Sequence, residues 1–184
     1  MVSTLRLVIA ERAFDSLLHE AVAAGREETG GLLVGQRHKG TVVVSFAVPA
    51  GPRAVRTAVR FQPDTTWQQA VLDLLTHRFP AARYVGEWHK HPVGYGIPSG
   101  RDLATAQVIV TSAQYASPHG VFPIVVVEQG RIVIRAFAIA RQHRAFREVP
   151  IEVVPDTDPR IRDLLVPEPI GKEVKSCSPT PRGC

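Results

Sequence analysis

Three side chains within one short stretch have the types and spacing of a metal site. His89 and His91 stand two apart in GEWHKHP, and Asp102 follows eleven residues after His91. Alternate residues of an extended strand share a face, so both imidazoles project the same way. Asp102 returns in the first turn of an expected helix, three residues after Ser99. Two imidazoles and one carboxylate make three ligands and leave a fourth position for water, which marks a catalytic rather than a structural zinc site. The donor set suits Zn²⁺, though other transition metals would also bind it. Zinc would bring the pKa of its water to near 7 and make a nucleophile available at neutral pH. A separate carboxylate must then take the proton and pass it to the leaving group.

Each residue also has a plainer reading. Ser99 and Asp102 form S-x-x-D, a common helix-opening capping box, and a capping Asp needs no metal. His89 and His91, taken singly, are ordinary strand-end histidines. Glu87 shares their face by parity, either as a partner of a ligand histidine or as a solvent-facing side chain. Trp88 points the other way, toward a core. His19, His38, His77, His119 and His143 lack partner spacing and read as surface residues. Gly94 and Gly96 give backbone freedom to the loop beyond His91.

The elements that must position these residues follow from periodicity. Residues 4–10 suit a strand, and 11–24 carry Phe14, Leu17, Leu18, Ala21 and Val22 at helical spacing, with Gly25 placed to end the helix. Residues 30–35 read as a buried strand and 41–49 as its partner, with a turn at His38 to Gly40. Residues 50–62 are basic and irregular, or an edge strand. Asp64 is placed to cap a second helix, whose stripe is Trp67, Val71, Leu74 and Leu75. Residues 82–89 read as a strand, 99–112 as a third helix, and 121–127 with 131–139 as a hairpin around Glu128, Gln129 and Gly130. Residues 146–154 alternate like one last edge strand, with Pro150 arguing for an edge. The interleaving predicts an α/β fold: one domain, 1–154, with a mixed sheet flanked by helices. From 155 to 184 proline becomes frequent, and the reading is a poorly ordered tail with one helical turn near 159–166.

Composition bounds the rest. The chain has 184 residues, 45% hydrophobic and 21% charged, enough for one sizeable core and not the profile of a disordered chain. No apolar run approaches the roughly 20 residues of a membrane span. The N-terminus lacks a basic n-region and a small-residue cleavage site, so a cytoplasmic protein is expected. The formal net charge is +5, with basic residues dispersed except near Arg53, Arg56, Arg60 and 141–147. Stacking patches of aromatic and basic residues are lacking, so a nucleic-acid partner is not expected. Cys177 and Cys184 stand alone in the tail and cannot complete a four-ligand zinc site.

The full pattern, H-x-H, seven residues, S, two residues, D, resembles that of the JAB/MPN metalloproteases, also called JAMM proteases. A second motif of that family is similar to Glu28-Thr-Gly30-Gly31-Leu32-Leu33-Val34-Gly35, read as E-x-G-x-L-x-x-G. The G-E-W-H-x-H-P wording resembles the bacterial branch, and the likeness spans roughly residues 5–140. It implies a cytidine-deaminase-like α/β fold and cleavage of peptide or isopeptide bonds after ubiquitin-like tails. By position it implies His89, His91 and Asp102 as zinc ligands, Glu28 rather than Glu27 as general acid/base, and Ser99 as a donor to the tetrahedral oxyanion. Implied partners are a ubiquitin-like protein or its conjugate, together with E1-like and E2-like enzymes, including those of CBASS-type antiphage systems. Trimming of a ubiquitin-like sulfur carrier is a related role. The contrasting expectations are a non-catalytic scaffold of the same fold and a nucleic-acid-associated member of the superfamily.

Overall fold

The apolar runs form one mixed sheet, and the amphipathic segments lie on its faces. The computed structural model describes residues 5–92, 96–115, 119–128 and 131–167. In chain order these are β1 (Arg6–Ala10), α1 (Glu11–Ala23), β2 (Thr29–His38), β3 (Thr41–Val48), β4 (Val55–Arg56), β5 (Phe61–Gln62), α2 (Thr65–Arg78), β6 (Arg83–His91), α3 (Gly100–Thr111), β7 (His119–Glu128), β8 (Arg131–Ala140), β9 (Arg147–Val149), β10 (Ile151–Val154) and α4 (Pro159–Arg162). Eight strands pair in the order β10-β1-β3-β2-β6-β7-β8-β9, and β4 with β5 forms a separate ribbon. The expected mixed sheet with flanking helices is thus observed.

Side-chain alternation sorts the helices by face. In β2, Leu33 joins the cluster under α1, which includes Leu7, Ile9, Leu17 and Trp88. Its neighbour Val34 joins the cluster under α2 with Trp67, Val71 and Leu75. In β7, Val121 and Val125 face α1's side, while Phe122 packs with Ile109 and Val110 of α3. Leu17 is 1% exposed, and burying such a side chain contributes about 1.5–3 kcal/mol. The stripe expected on α2 needs one correction: Leu74 is 65% exposed, and Leu72 takes its place against the sheet.

Gly25 ends α1 at φ 55°, as its position suggested. The turn from β2 to β3 uses Lys39 and Gly40, both left-handed at φ 41° and 80°. Asp64 caps α2 by accepting from the Trp67 amide. Residues 50–62, read as irregular or an edge strand, contain the β4–β5 ribbon.

Two expectations are overturned at the C-terminal end. Residues 146–154 are not one strand but two, on opposite edges: β9 pairs antiparallel with β8, and β10 pairs parallel with β1. Proline cannot donate to a ladder, and Pro150 divides them while its carbonyl accepts from the Leu7 amide at 2.8 Å. One residue joins the two edges, so the sheet must curl until they meet there. The domain also does not stop at 154. Ile161 and Leu164 are 0% and 2% exposed and belong to the main core, so residues 155–167 pack as part of the domain. The remainder of the expected tail with Cys177 and Cys184, and also Gly94, Gln129 and Gly130, lie outside the described residues.

Candidate metal centre

β2 and β6 run antiparallel with Gly30 opposite His89, so the residue before β2 meets the end of β6. That residue is Glu28. The close passage depends on Gly30, where a Cβ would stand 2.5 Å from the Trp88 carbonyl oxygen of β6. β6 alternates as its sequence requires. Trp88 and Lys90 are buried on the α1 side, and Glu87, His89 and His91 are half-buried on the other. α3 begins beyond the following loop and brings Asp102 over the two imidazoles.

The trio converges. Asp102 Oδ1 lies 3.2 Å from His89 Nδ1, and Oδ2 lies 3.3 Å from His91 Nε2. One donor atom from each residue falls within 4.8 Å of the others, close enough for a shared ion. Glu28 stands beside them, its Oε2 at 3.8 Å from His89 Nε2. That Nε2 is buried and has no hydrogen-bond partner among the described residues. Orphaned buried nitrogens are uncommon in folded proteins, and a cation would satisfy this one. The residues therefore fit a metal ion.

Asp102 also caps α3. Its Oδ2 accepts from the Ser99 amide at 2.6 Å, and the Ser99 Oγ accepts from the Asp102 amide at 3.2 Å. The capping and metal readings are therefore compatible: the box fixes the carboxylate where the histidines meet it. Burial acts to raise this carboxyl's pKa, but hydrogen bonds from His89, His91 and Ser99 outweigh it and hold the group well below the usual carboxylate range. Ser99 accepts through its lone pair, so its hydroxyl proton remains available to the cleft it lines.

Two cavities meet at this point. One of about 600 Å³ is lined by Glu28, His91 and Ser99, with exposed Val59 and Ile97 at its rim. The other, about 280 Å³, is lined by Leu32, Phe61, Glu87, Trp88 and Phe122. His89, Arg101 and Asp102 line both. Glu87 is thus not solvent-facing. Burial pushes its carboxyl up, against the opposing pull of Tyr84 and His89, and the Tyr84 hydroxyl lies 3.3 Å from its Oε1. Trp88 lies in the core at 1% exposure.

Several supporting residues escaped the sequence reading. Lys90 is 0% exposed, and its Nζ donates to the Gly25 and Glu27 carbonyls, both at 2.7 Å. It holds the turn that carries Glu28. A lysine between two same-face histidines on a strand must point into the core, and that was the available signal. Arg56 donates to Glu20 at 2.7 Å and to Thr29 Oγ1 at 3.1 Å, and Thr29 in turn donates to Glu20 at 2.7 Å. The Thr57 carbonyl accepts from the Glu28 amide at 2.8 Å. The Phe61 ring lies 5.5 Å from that of His89. Residues 50–62 thus brace Glu28 and His89. No local pattern in the sequence shows this, since every contact is long-range.

Residues 10–144 match the family described as prokaryotic homologs of the JAB domain. The chain belongs to that family. It is 31% identical over 118 residues to a probable metalloprotease, y4qB, of Sinorhizobium fredii, covering 61% of this chain and 71% of that protein. It is 33% identical over 117 residues to a CD-NTase/cGAS isopeptidase of Enterobacter hormaechei, covering 59% of this chain and 61% of that protein. The fold matches the solution structure of protein DSY2949 from Desulfitobacterium hafniense with a TM-score of 0.61 and 22% identity, over 81% of this chain and 93% of that one. No helix among the described residues is long and apolar enough to cross a membrane.

Proposed function

We propose that the chain is a zinc-dependent metalloprotease of isopeptidase type, acting on the bond that follows the C-terminus of a ubiquitin-like protein or its conjugate. The observation that carries this reading is the convergence of His89, His91 and Asp102 beside Glu28, with a buried His89 nitrogen left without a hydrogen-bond partner among the described residues. His89, His91 and Asp102 would hold the ion. Zinc, when bound, lowers the pKa of water and polarises a carbonyl.

The chain's own groups supply the rest. Glu28 is no ligand in this reading; its carboxylate accepts the proton of the attacking water and returns it to the leaving amine. Lys90 and Thr57 hold Glu28 in place through the backbone. The Ser99 hydroxyl donates to the oxyanion of the tetrahedral intermediate, where charge develops. The exposed rim residues Val59 and Ile97 offer apolar contact to an extended tail entering the cleft. The names of the two relatives support protease and isopeptidase chemistry. The ubiquitin-like substrate, the association with E1-like and E2-like enzymes, and a cytoplasmic location are parts of the same proposal.

The test is cleavage of a panel of ubiquitin-like fusions and lysine-linked conjugates by the purified chain. Release of the modifier with an intact C-terminus, abolished by a chelator and restored by zinc, is the expected result. Activity that survives exhaustive chelation removes the proposal.

A further inference from the structure

The far end of the sheet holds a second concave site. β2 is 10 residues long, on the order of 30 Å at about 3.3 Å per residue. Glu28 precedes one end, and Arg37 stands near the other. A cavity of about 320 Å³ opens there, lined by Arg37, His38, Lys39, His119, His143 and Arg147. No carboxylate is among the described residues that line it. Leu5, Ile139 and Val149 supply an aliphatic wall.

Arg37 is half-buried and fixed. It donates to the Tyr84 carbonyl at 3.1 Å and to the Val85 carbonyl at 2.7 Å, beside the register shift where β2 and β6 slip past each other. Those bonds explain where the guanidinium sits, yet they leave its charge unneutralised. Arg12, Arg53, Arg56, Arg135 and Arg160 each contact a carboxylate. Among the described residues, Arg37 contacts none. A guanidinium stays charged in proteins, and a buried charge without a counter-charge is costly. His119 is half-buried rather than on the surface. Burial first, then Arg37 and His143, hold its imidazole below the ordinary histidine value.

We propose that this cavity binds a small phosphorylated molecule, its phosphate against the basic side and its apolar body against the aliphatic wall. Three cations, Arg37, Lys39 and Arg147, one of them a fixed guanidinium, suit a multiply charged oxyanion better than a lone carboxylate. The volume lies at the low end of small-molecule pockets, which run roughly 300–1,000 Å³. The basic groups line one concavity. This site lies apart from the metal centre and does not depend on the chemistry proposed there.

Calorimetric titration of the full chain with AMP, adenosine and inorganic phosphate tests it. AMP should bind, phosphate should bind more weakly, and adenosine should give no signal. The double variant Lys39→Asn, Arg147→Gln should weaken AMP by at least ~10-fold. Both side chains are exposed, and Asn accepts the left-handed backbone at position 39. An unchanged melting temperature in the double variant shows that the fold survives. The proposal is overturned by any of three results: no AMP binding at millimolar concentration, AMP binding unchanged in the double variant, or adenosine binding as tightly as AMP. Binding of a DNA oligonucleotide without binding of AMP also overturns it, and assigns the basic cluster to nucleic acid instead.

Discussion

Asp102 carries two duties that the sequence sets against each other. Its carboxylate closes the capping box with Ser99 and also faces both imidazoles. Asp102→Ala should therefore lose the metal and the activity, and also destabilise α3 by about 0.5–2 kcal/mol, the usual value of a cap. Metal analysis with thermal denaturation reads both effects. Ser99→Ala should lower turnover by roughly 10²–10³-fold if its hydroxyl serves an oxyanion. A Ser99→Ala enzyme with near-normal turnover and only a lowered melting temperature would reduce Ser99 to a cap. At this scale the sequence was most legible. The fixed spacing of His89, His91, Ser99 and Asp102 named the group that the structure brings together, and the glycine-rich motif placed Glu28 beside it. Glu87 was left open between two roles because parity assigns a face but not what covers it.

Elements were legible where the pattern was local, and less so where distant chain decided. Strand alternation correctly put Trp88 inward and the histidines outward. It also implied the buried Lys90, whose partners lie more than sixty residues away and so went unseen. Lys90→Met removes the buried donor that ties down the Gly25 and Glu27 carbonyls, at about 0.5–1.5 kcal/mol for each hydrogen bond lost. The expected outcome is a lower melting temperature together with a lower kcat, because the turn bearing Glu28 loosens. The end of the chain was misread for a related reason. Residues 146–154 alternate continuously, and nothing local says that Pro150 sends the two halves to opposite edges. Proline frequency after 155 suggested a tail, yet Ile161 and Leu164 fill the core. Ile161→Ala should cost about 2–5 kcal/mol, measured by denaturant unfolding. A loss under about 0.5 kcal/mol would return residues 155–167 to the status of a tail.

The whole molecule is a curled sheet with a functional reading at each end of β2. The candidate metal centre and Glu28 lie at one end, and the basic cavity lies at the other. The net charge of +5 is not evenly spent. Arg53 and Arg56 sit on Asp64 and Glu20 as structural pairs, whereas Arg37 and its neighbours face a cavity with no acidic side chain among the described residues that line it. Composition alone could not separate these uses. The fold class was legible as a mixed sheet with helices, since periodicity reports element type well; the order of strands came from contacts that periodicity does not encode. A metal that binds only the folded chain stabilises it by mass action, about 2.7 kcal/mol when free ion stands at about 100 times its dissociation constant. Chelation should thus lower the melting temperature of the native chain and leave that of Asp102→Ala unchanged.

The claim on which all of this turns is that three residues hold a zinc ion while Glu28, outside the ligand set, moves the proton. Glu28→Gln separates the two most directly, with bound zinc and cleavage of a ubiquitin-like fusion measured on the same preparation. The account predicts about one zinc per chain in both proteins, with turnover in the variant lower by about 10²–10⁴-fold or more. A Glu28→Gln protein that cleaves at the native rate, or a native protein that cleaves without any bound metal, would contradict it.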